Sequence, residues 1–136
     1  METIETLTKE AQKIQDFLEI TMSEDPQEVV FRGNDLVVYL ARSAKMLADA
    51  KQIYNRQRKD ETMQVIEKFI IDKKLSAKVQ NALIDGLCAD IKYLVDWLER
   101  INAAITHQID WCRSVVSKNK EEMRLSNLGK EFNNHR

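Results

Sequence analysis

The sequence predicts an all-α fold: three or four helices in an elongated antiparallel bundle, ending in a long C-terminal coiled-coil-like helix. Three observations predict it. The 136 residues contain three Gly and a single Pro, too few turn-formers for hairpins or a strand-rich sheet. Apolar residues recur every three or four positions along most of the chain, the period of an amphipathic helix. The last of these stripes holds an unbroken heptad over more than four repeats.

The first helix is expected over residues 3–22, with Ile4, Leu7, Ala11, Ile14, Leu18 and Thr21 in its stripe. Ser23-Glu24-Asp25-Pro26 stops it and starts the next. Asp25 suits an N-cap, Pro26 the first helical position, where no N–H is needed, and Glu28 the third, completing a capping box. The second helix, residues 26–58, carries Val29, Gly33, Leu36, Leu40, Ser43, Leu47, Ala50 and Tyr54, and Val30, Val37, Ala41, Ala44 and Ala48 widen the stripe. Gly33 lowers helix propensity by about 1 kcal/mol relative to Ala, which suggests a neighbouring helix in close approach. The stretch NRQRKDET, residues 55–62, has no apolar residue and reads as an overhang or a corner. A short third helix over 61–74 uses Met63, Ile66, Phe69 and Ile70, although Val65, Ile70 and Ile71 also suit a strand on propensity alone.

Ser76 is the expected N-cap of a final helix over 76–124. Its heptad runs through Ile84, Leu87, Ile91, Leu94, Leu98, Ile101, Ile105, Gln108, Cys112 and Val115. Trp97 and Trp111 flank that seam on one side, and Val95, Ile109 and Val116 on the other. Four apolar columns exceed what a two-stranded coiled coil covers, so more than one neighbour is expected. Leu94, Trp97, Leu98, Ile101, Ile105, Gln108, Trp111, Cys112 and Val115 are therefore assigned to bundle or oligomer packing. Gly86 is the expected bend, residues 1–124 form one domain, and 125–136 form a frayed tail.

The sequence points to no chemistry. Gln108 sits inside the seam, where a polar side chain fixes register or partner number at some cost in stability. Gln108→Leu is then expected to raise stability and loosen the oligomer. His107 and Cys112 lie about 140° apart on a helix and do not form a metal-ligand pair. Cys112 in an apolar seam lacks the electropositive, open setting of a nucleophile. No paired carboxylates or glycine-rich phosphate loop occur, so neither enzyme activity nor a cofactor or metal is expected. The cysteines, Cys88 and Cys112, are too far apart on one helix to bond, which points to free thiols and a reducing, cytoplasmic setting. No apolar run is long enough to span a membrane.

Charge gives one positive signal. Residues 1–35 carry a net −6 and the remainder +5. Arg42, Lys45, Lys51, Arg56, Arg58 and Lys59 face a single acid, Asp49, within residues 42–59, and Tyr54 lies among them. Lys73, Lys74 and Lys78 form a second basic cluster. Bases with interleaved aromatics are what sequence-tolerant single-strand binders use, and a homo-oligomer would join such patches into a track. Alternatively, the basic surface meets only protein, covered by an acidic helix.

The blocks DPQEVVFRGNDLVVYLARSAKMLADAK and THQIDWCRSVVSKNKEEMRLS resemble small helical proteins, of unassigned role, encoded by phages and mobile elements of the Bacteroides group. That likeness covers residues 26–126. The layout also resembles, at a distance, the recombination-mediator (UvsY) family of tailed bacteriophages: an early helix ending in ADAKQIY, a polar corner, and a long last helix introduced by LSA. This second resemblance implies a ring-forming, non-enzymatic accessory of phage-type DNA metabolism. Such a protein binds single-stranded DNA and meets a recombinase or a single-strand-binding protein. It makes the basic residues of the second helix the DNA-contact candidates; the acidic N-terminal 35 residues depart from the pattern.

Overall fold

The computed structural model describes residues 2–69 and 76–134. Its four helices are α1 (Ile4–Leu18), α2 (Pro26–Phe69), α3 (Ala77–Leu87) and α4 (Ala89–Asn134), with no strand among the described residues.

The N-terminus of α1 is closed reciprocally. The Thr6 N–H donates to the Thr3 hydroxyl oxygen at 3.2 Å, and the Thr3 N–H donates to the Thr6 hydroxyl oxygen at 2.9 Å. The helix stops at Leu18 rather than at 22 because groups from two other helices take its last carbonyls, as described below. At the start of α2, the Val29 N–H donates to the Asp25 carbonyl at 2.9 Å. The N–H of Asp25 goes to the Ser23 hydroxyl at 3.1 Å, so serine takes the place expected for Glu28 in closing this turn.

From Pro26, α2 continues unbroken for 44 residues, through the stretch that reads as an overhang or a corner. Polarity does not end a helix; Pro, Gly or a competing cap does, and residues 55–62 contain neither Pro nor Gly. The expected separate helix over 61–74 is thus, as far as Phe69, the end of α2, and Val65 is buried there. Ile70 and the rest of the expected third helix lie outside the described residues.

The expected 76–124 helix is two helices. Ser76 caps α3 through the Val79 N–H at 3.3 Å, as expected, and α3 ends at Leu87 with Cys88 as its C-cap, two residues beyond Gly86. There the chain adopts φ −99 and ψ 8, then resumes as α4 with the Lys92 N–H on the Cys88 carbonyl at 3.0 Å. α3 is fastened to α2 by Arg58 on Asp85 and by the Gln57 amide on the Leu87 carbonyl at 3.1 Å. α4 then runs 46 residues, including most of the stretch expected to fray. That stretch contains no Pro and one Gly, and Arg124 pairs with Glu121 one turn back at 2.7 Å.

The core forms along α2 and α4, which run antiparallel: Arg32 meets Gln108, Ser43 meets Asn102, and Lys51 meets Glu99. α1 lies in one groove of that pair and buries Leu7, Ala11 and Ile14. Opposite them, α2 buries Leu36, Met46 and Ala50, and α4 buries Ile91, Leu94, Leu98, Ile101 and Ile105. Gly33 is not a point of tight approach. A Cβ built there would stand 3.9 Å from the Cys112 Cβ, an ordinary contact.

Candidate interaction surface

The seam of α4 is spent inside the chain. Leu94, Leu98, Ile101, Ile105 and Cys112 are buried, and Trp97, Trp111 and Val115 are partly buried against the same core. The Trp97 indole N–H donates to the Gln15 side-chain carbonyl at 3.1 Å, which ties α4 to α1. Gln108 also looks inward. Its Nε2 donates to the Leu18 carbonyl at 3.0 Å, and its Oε1 accepts from Arg32 Nη2 at 3.0 Å. The same Arg32 nitrogen lies 3.1 Å from the Phe17 carbonyl and 3.3 Å from that of Ile20, and the guanidinium stacks on the Phe17 ring at 4.1 Å. Gln108 and Arg32 together therefore terminate α1. Burial holds the Arg32 guanidinium below its ordinary pKa, and its buried Nε has no hydrogen-bond partner.

Arg32 plays no part in the apolar stripes, and its sequence neighbourhood does not mark it. Its role comes from groups 12, 15 and 76 residues away. His107 is exposed. Burial raises the thiol pKa of Cys112, and likewise of Cys88, and both thiols are free. Among the described residues no group of three or more His, Cys, Asp or Glu could hold a metal ion. Among the described residues no helix is long and apolar enough to cross a membrane.

Much of the basic stripe is paired within the chain. Arg42 makes a two-pronged contact with Glu10, at 2.6 Å for each bond, and reaches Glu2 at 2.7 Å. Its hydrogen bonds to Glu10 and Glu2 push its pKa above the ordinary arginine value, and the same contact holds the Glu10 carboxyl below the usual carboxylate range. The charge split of the sequence is thereby partly neutralised by α1 lying on α2. Lys45 bonds Asp49 at 2.7 Å, Lys51 approaches Glu99 at 3.4 Å, and Arg58 holds Asp85. Tyr54 is partly buried, with the Lys92 ammonium 5.8 Å from its ring centroid. Arg56, Lys59 and Lys78 are exposed, with no ion pair among the described residues. Lys73 and Lys74 lie outside those residues.

The stripes do not anticipate how much apolar surface α2 leaves open. Val30, Phe31, Val37 and Val38 are 49%, 61%, 56% and 67% exposed, across two turns of a helix whose opposite side is core. The signal lies in the doublets Val30-Phe31 and Val37-Val38: adjacent residues point about 100° apart, so one neighbour cannot cover both. Along one edge of this surface, Val30 and Val37 face Ile109 and Val116 of α4 across an open groove of about 440 Å³, with Arg113 and Lys120 on its rim. A second open stretch is the end of α4, where residues 121–134 are all exposed, Leu125 and Leu128 among them. Comparisons with protein-family models, with curated proteins and with solved structures find no match to this chain.

Proposed function

We propose that this chain is a non-enzymatic helical scaffold or adaptor that works through protein–protein contact. One observation carries the reading: the outer face of α2 leaves Val30, Phe31, Val37 and Val38 about half or more exposed. An apolar patch of this kind on an ordered helix is characteristic of a surface that another protein covers. The fate of the basic stripe supports the same reading. Four of its six cations already face acids of the same chain.

A second reading keeps the role implied by the recombination-mediator likeness, an accessory of phage-type DNA metabolism that binds single-stranded DNA or a recombination protein. The observation in its favour is that Arg56, Lys59 and Lys78 are exposed and lack ion-pair partners among the described residues. Salt dependence separates the two. Under the scaffold reading, fluorescence anisotropy with labelled single-stranded DNA shows no binding at low salt. Tight binding that falls steeply with added salt, and is lost in an Arg56→Glu, Lys59→Glu variant, overturns it in favour of the second.

A further inference from the structure

We infer that the outer face of α2 binds the same face of a second copy of this chain, the two helices running antiparallel. The inference deepens the scaffold reading and rests on it. Val30, Asn34, Val37, Ala41, Ala44 and Ala48 recur at spacings of three and four, which makes them one face of the helix. Phe31, Val38 and Lys45 form the adjoining column. All nine are exposed, because α4 and α1 cover the other sides of α2.

This face has a large half and a small half. Its first two turns carry Val30, Phe31, Val37 and Val38; the next two carry Ala41, Ala44 and Ala48. A twofold axis between Tyr39 and Leu40 brings each half onto the other. Phe31 then lies level with Ala48 of the second copy, Val38 lies level with its Ala41, and Val37 is one residue off that level. The alanines let the two backbones approach closely, and the large side chains fill the space the alanines leave. Parallel pairing would instead stack large on large and small on small.

The charges on this surface follow the same symmetry. Asp35 lies within one residue of level with Lys45 of the second copy, twice across the axis, and joins the contact that Lys45 makes with Asp49 of its own chain. Arg42 does not oppose the pairing, since α1 already holds it between Glu2 and Glu10. A heterologous partner would not require one helix to carry both complementary halves at equal distances from a centre. A second copy does, because an isologous interface must be complementary to itself. The contact spans residues 27–52, about 39 Å at 1.5 Å per residue, and Val30 and Val37 bring its edge to the groove beside α4.

The test is sedimentation equilibrium of the full chain from low micromolar to several hundred micromolar. The expected result is a monomer–dimer equilibrium that Val38→Glu weakens roughly tenfold or more without loss of helicity, and that Leu125→Glu on the α4 end leaves unchanged. A Phe31→Cys, Ala48→Cys double variant should form a disulfide-linked dimer under mild oxidation, and neither single variant should. The two positions are about 25 Å apart along one helix, so a bond between them within one chain is impossible. A monomer at every concentration overturns the proposal. So does a dimer indifferent to Val38→Glu, or equally efficient cross-linking through Phe31→Cys alone. DNA binding in the anisotropy experiment would remove the scaffold reading while leaving these masses and cross-links to stand or fall separately.

Discussion

Gln108 and Leu18 are 90 residues apart in sequence and joined by one hydrogen bond, from the glutamine Nε2 to the leucine carbonyl at 3.0 Å. The bond turns a polar intruder in a heptad into the stop of another helix. It also reverses the effect expected of removing it.

Gln108→Leu is expected to destabilise the chain, contrary to the expectation from its heptad position. The substitution leaves the Leu18 carbonyl unsatisfied and removes one of the three acceptors of Arg32 Nη2. Leaving partly buried polar groups without partners costs about 1 to 3 kcal/mol. Urea denaturation should show a lower midpoint, and a rise would show that Gln108 tunes register instead.

The Glu10–Arg42 contact makes the docking of α1 dependent on acid. The contact depresses the folded pKa of Glu10 below its ordinary value. Its stabilisation is therefore fully present above the unfolded carboxylate range and is lost as pH falls through the depressed folded value. The contact is partly solvent-exposed, so its net worth at neutral pH is only about 1 kcal/mol. Melting temperatures measured from pH 7 down to pH 3 should converge for wild type and Arg42→Met at the acid end, wild type being the more stable above it.

Gly33→Ala should stabilise. The added Cβ meets only the Cys112 Cβ, at 3.9 Å, and Ala is favoured over Gly inside a helix by about 0.5 to 1 kcal/mol. A loss of stability in thermal melts would mean that the two helices approach more closely here than the structure has them.

The two thiols should react only on opening. Cys88 and Cys112 are 1% and 5% exposed, and burial raises the pKa of each, so little thiolate forms at neutral pH. Native protein treated with an aromatic disulfide reagent should release chromophore slowly, and urea-unfolded protein at once. Immediate reaction of a folded thiol would contradict that burial.

These cases show what the chain writes locally and what it does not. The boundary at Pro26 is legible because proline chemistry allows few other readings there, and the buried column from Ile91 to Ile105 follows from heptad spacing alone. The continuity of α2 through residues 55–62 is not legible, because an all-polar stretch looks the same in a corner and in a helix flanked by water. Nor is the break at Cys88, which falls two residues past the only glycine nearby. The pairing of the basic stripe is not legible for a related reason. Arg42 reads as a free cation until α1 folds back and places Glu2 and Glu10 against it. Charge inventories count side chains, whereas a surface depends on which of them remain unmatched.

The last 14 residues of α4 inherit their form from what precedes them. A helix that short is marginal in water by itself, because its first turn fixes several residues in exchange for a single bond, whereas extending an existing turn avoids that nucleation penalty. Residues 121–134 are all exposed, so they stay coiled as a propagation of the buried segment upstream. Their order is lent by the bundle, and the same peptide cut free would lose most of its helicity.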